Sequence, residues 1–209
     1  QRIRRLASLL IQRGIGENDV VAVFMKNSPA FLEVAFAASH VGAVFLPVNF
    51  RLAAHELTHI LTDAGAKLLF IDEELASTCQ LDQDVVVVDA MAQHDSRCLS
   101  SSDWPLPEAV PRRSDQLFRL MYTSGTTARP KGVMHSYENF YWKCMDHVVA
   151  LNLTLEDKLL TVGPLYHVGA FDLPGVAVLW QGGTLCLHRE FNAEAALASI
   201  ERHQLSCAW

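Results

Sequence analysis

Strand-length apolar runs alternate with helix-length stretches along most of this sequence, and that alternation narrows the folds open to it. Val20-Val21-Ala22-Val23-Phe24-Met25 is apolar without a break, and so is the core of a strand expected at 85–89, the pattern of strands covered on both faces. Further strands are expected at 44–48, where Pro47 interrupts, at 67–72, 117–123, 132–135, 158–162 and 184–188, and from 205 onward. Helical spacing marks 2–13, with Ile3, Leu6 and Leu10 on one stripe and Gly14 as a stop, then 53–64 and 173–181. Three more helices begin at capping residues: Ser28 before Pro29, Ser136 with a helix to about 151, and Asn192 with a helix to about 203. Parallel strands need crossovers of a dozen or more residues, which these helices supply. The fold class is therefore α/β, with largely parallel sheets and flanking helices.

Bulk properties exclude several function classes. The chain has 209 residues, with 17 basic and 23 acidic side chains and a net charge of −6. A nucleic-acid binder would carry a basic stripe that this balance does not supply. An anionic nucleotide asks for less, since one lysine and a few backbone amides suffice. No apolar run reaches the roughly 18 residues of a membrane span. Residues 1–5 open an amphipathic helix and lack the features of a signal peptide. Cys79, Cys98, Cys144, Cys186 and Cys207 are odd in number and form no CxxC pair, the usage of reduced cysteines in a cytoplasmic protein. Residues 92–116, rich in Ser, Asp, Arg and Pro, read as a surface connection.

The most informative stretch is Tyr122-Thr123-Ser124-Gly125-Thr126-Thr127-Ala128-Arg129-Pro130-Lys131-Gly132, which follows an apolar strand. Its hydroxyls, glycines and single lysine are the types that polyphosphate binding needs. Small residues let backbone N–H groups approach the oxygens, hydroxyls donate further bonds, and the lysine supplies positive charge. The same composition also fits a polar surface turn. A Walker A loop is excluded, because Pro130-Lys131-Gly132 stands where Gly-Lys-Ser/Thr would have to be.

This stretch resembles the signature loop of the adenylate-forming superfamily, which includes acyl-CoA synthetases, aryl-CoA ligases and adenylation domains that load carrier proteins. The resemblance extends over nearly the whole chain, through 16–23, 27–44, 47–52, 55–57 and 65–67. It implies that Thr123, Ser124, Gly125, Thr126, Thr127 and Lys131 hold the β- and γ-phosphates of ATP. It further implies activation of a small-molecule carboxylic acid to acyl-AMP and its transfer to coenzyme A, with Mg²⁺ on the nucleotide and no catalytic residue within these positions. Residues 1–209 would then be part of an N-terminal AMP-binding domain, without its remainder or a small C-terminal domain, and inactive alone. A non-catalytic binding module, a carrier-protein acceptor and a homodimer are compatible with the same residues, and fatty, aryl and small acids all remain open. The family usually has glycine where this chain has Ala128; a positive φ there would cost alanine about 1 kcal/mol.

Two further motifs contain histidines. Gly163-Pro164-Leu165-Tyr166-His167-Val168-Gly169-Ala170 follows the strand at 158–162, and ligands bind outside the carboxyl ends of parallel strands. Read from its residues alone, His167 is a core or surface histidine before it is a site residue. The segment is similar to the family's Pro-x-aromatic-His motif, which implies that His167 and Tyr166 line and gate the acyl pocket, with Val168, Gly169 and Phe171 as candidate wall residues. His55-Glu56-Leu57-Thr58-His59 matches the HExxH pattern of zinc hydrolases. On a helix with Leu57 at 0°, His55 and His59 fall near about 160° and 200°, away from the stripe of Leu57, Ile60, Leu61 and Ala64. A solvated helix face is expected there, and no metal site.

Overall fold

A computed structural model describes residues 1–77, 84–88, 105–123 and 130–209. The chain divides into two compact units, Gln1–Met25 with Pro29–Tyr137, and Lys26–Ser28 with Glu138–Trp209. Among the described residues the first unit holds a six-stranded sheet in the order β4-β3-β1-β2-β5-β6. Its strands are β1 (Val20–Phe24), β2 (Val44–Pro47), β3 (Ala66–Asp72), β4 (Asp84–Val88), β5 (Leu117–Thr123) and β6 (Lys131–Ser136). Neighbours pair in parallel, except that β5 and β6 are antiparallel.

The unbroken apolar run of β1 is explained by its place: it lies between β3 and β2, and all five of its residues are buried. Successive side chains point to opposite faces. Val20, Ala22 and Phe24 meet α3 (Ala54–Asp63), whose Leu57, Ile60 and Leu61 are almost fully buried in the same cluster. Each such side chain contributes about 1.5–3 kcal/mol by burial. On the opposite face Phe45 of β2 packs edge-to-face on Phe31 of α2 (Pro29–Val41), with ring centroids 5.7 Å apart. α2 lies in turn against α1 (Arg2–Gln12). Residues 105–116 form no regular element and are fastened to α1. Ser8 donates to the Pro105 carbonyl at 2.6 Å, and Arg4 to those of Leu106 and Pro107 at 2.9 and 3.1 Å. The earlier part of the expected surface connection, which includes Cys98, lies outside the described residues, as do Cys79 and Asp89. A single helical turn after β3, α4 (Glu73–Ala76), has no counterpart among the sequence expectations.

The second unit contains β7 (Lys158–Thr161) between β8 (Thr184–Leu187) and β9 (Cys207–Ala208), all parallel. Most of α5 (Tyr137–Leu151) belongs to it, together with α6 (Val168–Asp172), α7 (Gly175–Trp180) and α8 (Ala193–His203). Asn192 caps α8 as expected, its side chain accepting from Ala195 N at 2.8 Å. The helix expected at 173–181 is α7, which begins only at Gly175, and the short α6 before it has no counterpart among the sequence expectations. Pro174 has no N–H to continue a helix, and it disfavours helical backbone at Leu173 before it.

Asn27 fastens the turns at the carboxyl end of this small sheet. Its amide nitrogen donates to the carbonyls of Gly163 and His188 at 2.7 and 3.0 Å, and its amide oxygen accepts from Leu165 N at 2.8 Å. The side chain is buried, so no water replaces a lost bond. Asn27→Ala is expected to lower unfolding stability by about 2–4 kcal/mol, measured by chemical denaturation of the purified protein. Asn27→Asp, although isosteric, is expected to cost at least as much, because a carboxylate oxygen would face two carbonyls.

Candidate functional site

The β5–β6 hairpin positions the two ends of the glycine- and hydroxyl-rich loop. Tyr122 pairs with Gly132, and Thr123 with Lys131. Residues directly opposite in an antiparallel pair present their side chains on one face. Tyr122 packs with Leu120 against the α3 side of the sheet, so Thr123 and Lys131 project from the other side. Both are exposed, and among the described residues Lys131 forms no ion pair. Two pairs earlier on that side, Arg119 is buried and donates to His135 Nδ1 at 3.1 Å. A hydroxyl and an ammonium group thus stand side by side at the loop end of the hairpin, a pair suited to an anionic ligand. Ser124, Gly125, Thr126, Thr127 and Ala128 lie outside the described residues.

Two residues next to that pair explain the hairpin's geometry. The Tyr122 hydroxyl donates to Asp63 Oδ2 at 2.6 Å, tying β5 to the carboxyl end of α3. Burial, reinforced by the Asp63 carboxylate, raises the Tyr122 pKa above the ordinary phenol value, so the hydroxyl remains a donor. Gly132 lies under that ring: a Cβ there would stand 3.1 Å from Tyr122 Cζ and 3.2 Å from Cε2. A glycine inside a strand commonly marks such an approach. Asp63 had no signal in the sequence that would single it out.

In the second unit, residues 163–167 leave the carboxyl end of β7, the middle strand of its sheet. The chain passes next to β8 on one side and then to β9 on the other, so the turn stands where the strand order reverses. Open α/β sheets bind ligands at such points. His167 is exposed and caps α6, its Nδ1 accepting from Gly169 N at 3.2 Å. The neutral ring therefore carries its proton on Nε2, which is left to donate. Tyr166 is half-buried beside it. Of the candidate wall residues, Phe171 is buried with its ring 6.1 Å from that of Phe140, centroid to centroid. Trp209, which the sequence did not single out, lies against Gly163 and Gly169; a Cβ on either glycine would fall on its indole. Trp209 N donates to Leu160 O at 2.9 Å and Val162 N donates to Trp209 O at 3.2 Å, which holds the indole beside this turn.

The HExxH segment occupies the solvent side of α3. His55 is exposed and His59 half-exposed, while Leu57, Ile60 and Leu61 are buried. Glu56 accepts from the backbone N–H of Ala53 at 2.9 Å and so serves as a helix cap. Among the described residues no group of three or more His, Cys, Asp or Glu is arranged to hold a metal ion.

Comparison with known proteins agrees with the resemblance seen in the sequence. The chain is 35% identical over 206 residues to a feruloyl-CoA synthase of Amycolatopsis sp, covering 99% of this chain and 41% of that protein. It is 33% identical over 195 residues to the long-chain-fatty-acid–CoA ligase FadD13 of Mycobacterium tuberculosis, covering 90% of this chain and 38% of that one. The crystal structure of ATP-bound MatB from Rhodopseudomonas palustris superposes with a TM-score of 0.84 at 26% identity, over 96% of this chain and 41% of that chain. The chain thus spans about two fifths of the length of these relatives. The family model described as AMP-binding enzyme matches residues 1–209. Its α/β core, with a mostly parallel sheet, is that of the N-terminal domains of adenylate-forming enzymes, and the chain belongs to the AMP-binding enzyme family.

Proposed function

We propose that this chain forms part of the N-terminal domain of an ATP-dependent acid–CoA ligase and contributes its phosphate-binding loop. The carboxylate of the acid attacks the α-phosphorus of ATP, forming acyl-AMP and releasing pyrophosphate. The thiol of coenzyme A then attacks the acyl carbonyl, and AMP leaves. The observation that carries this reading is the family match over residues 1–209 together with the segment 122–132 that it contains.

In this reading Thr123, Ser124, Gly125, Thr126 and Thr127 bind the β- and γ-phosphates with hydroxyl and backbone donors, and Lys131 offsets the negative charge. In-line phosphoryl chemistry depends mainly on positioning and charge neutralisation, which is what such a loop supplies. Mg²⁺ would accompany the nucleotide and offset part of the phosphate charge. His167 and Tyr166 border the acyl group, and the His167 Nε2–H is the donor available to it. The substrate is a small-molecule carboxylic acid of the fatty, aryl or small class, and the reaction runs in the cytoplasm.

Two outcomes test the reading in the full-length gene product. Lys131→Ala is expected to lower kcat/KM for ATP by about 10- to 100-fold in ATP–pyrophosphate exchange, the loss of one charge-assisted hydrogen bond set. Unchanged exchange in that variant would count against the loop. His167→Ala is expected to raise KM for the acid several-fold, on the order of one lost hydrogen bond, while KM for ATP stays near its starting value.

A further inference from the structure

Loops that bind polyphosphate must present their donors in a fixed place, and here the described structure offers a device that fixes the loop's two ends. α3 is anchored by Leu57, Ile60 and Leu61, which are 0, 2 and 1% exposed. Asp63 is the last residue of that helix, and its Oδ2 accepts from the Tyr122 hydroxyl at 2.6 Å. The Tyr122 ring crosses from β5 onto Gly132 of β6, so close that a Cβ at Gly132 would stand 3.1–3.3 Å from the ring and its oxygen. The next pair outward is Thr123 with Lys131. A line of contacts therefore runs from the protein core through Asp63 and Tyr122 to the two strands that carry these ends.

We propose that Asp63, Tyr122 and Gly132 are positioning residues for nucleotide binding, a helix-to-hairpin tie that holds Thr123 and Lys131 in register at the mouth of the phosphate loop. The inference rests on the proposed ATP-binding role of that loop. Neither Asp63 nor the phenol points to the face on which Thr123 and Lys131 project, so their action is indirect. The bond is charge-assisted, which favours a single geometry over a loose contact. Glycine is required at 132 because the ring, held at its hydroxyl, has little freedom to withdraw from a methyl group. The charge of Asp63 is less essential than its oxygen: an amide oxygen at the same place still accepts from a phenol.

The test is calorimetric titration of the full-length protein with MgATP, alongside the melting temperature of each nucleotide-free variant. Asp63→Ala and Tyr122→Phe are each expected to weaken MgATP binding by about three- to tenfold. Their melting temperatures should change little, since Asp63 is exposed and the ring is kept in Tyr122→Phe. Combining the two should weaken binding no further than either alone, because both remove one bond. Asp63→Asn should restore most of the affinity. Wild-type affinity in Asp63→Ala and Tyr122→Phe would overturn the tie while leaving the loop's role intact. A loss of affinity that merely tracks a fall in melting temperature, without rescue by asparagine, would also overturn it. Failure of the wild-type protein itself to bind MgATP would instead remove the proposed function on which the tie depends.

Discussion

Antiparallel pairing of β5 with β6 is the constraint from which the first site follows. Side chains in a strand alternate between faces, so a one-residue slip would exchange everything on one side of the hairpin for everything on the other. In the observed register Tyr122 faces the α3 cluster, and Thr123 stands opposite Lys131 on the far side. A slip would turn the phenol away from Asp63 and place a lysine ammonium toward the apolar cluster, a costly burial. Two features oppose that slip. One is the ring of Tyr122 on Gly132; the other is the hydrogen bond of buried Arg119 to half-buried His135. The register shift between Leu117 and Arg119 has a consequence of its own, since it lets Leu117 and Leu120 pack on the same face.

The second unit applies a different device to a similar end. There a turn leaves the middle strand of a parallel sheet, and no cross-strand partner can hold it. Asn27 supplies the missing bonds, using both ends of one amide to satisfy three backbone groups. Buried backbone groups need such partners, and an amide offers donors and acceptor in one small side chain. The indole of Trp209 then takes up the space that two glycines leave open. The turn carrying His167 is thereby held from both sides, by hydrogen bonds and by packing, while the imidazole itself stays exposed and caps α6.

What the sequence made legible divides along the range of the interactions. The β1 run, the boundaries of β5 and the cap at Asn192 depend on neighbours a few positions away, and they agree with the structure. The direction of β6 was also within reach: seven residues, 124–130, join β5 to β6, too few for a parallel crossover. The helix expected at 173–181 is present but starts at Gly175, because Pro174 stands at its cap and the apolar spacing that continues through it does not mark the boundary. Asp63 with Tyr122, and Trp209 with Gly163, are 59 and 46 positions apart, and no local pattern reports such pairs. The proposed phosphate loop was legible as chemistry, from its hydroxyls, glycines and lysine, while the contacts of Asp63 and Tyr122 beside its ends were not.

α3 illustrates why a motif has to be read with the face it occupies. Its five-residue HExxH match is complete in letters, yet the helix has already committed its apolar stripe to the sheet. The histidines are left on the outer side, and the glutamate is drawn into capping Ala53. A zinc hydrolase helix would need its histidines turned inward, which here would carry Leu57, Ile60 and Leu61 into water at about 1.5–3 kcal/mol each. The same burial that excludes that arrangement makes the helix rigid enough for its last residue, Asp63, to serve as a fixed anchor. The apolar stripe therefore decides which polar residues of α3 are free to act, and it selects the one at the end of the helix over those in its middle.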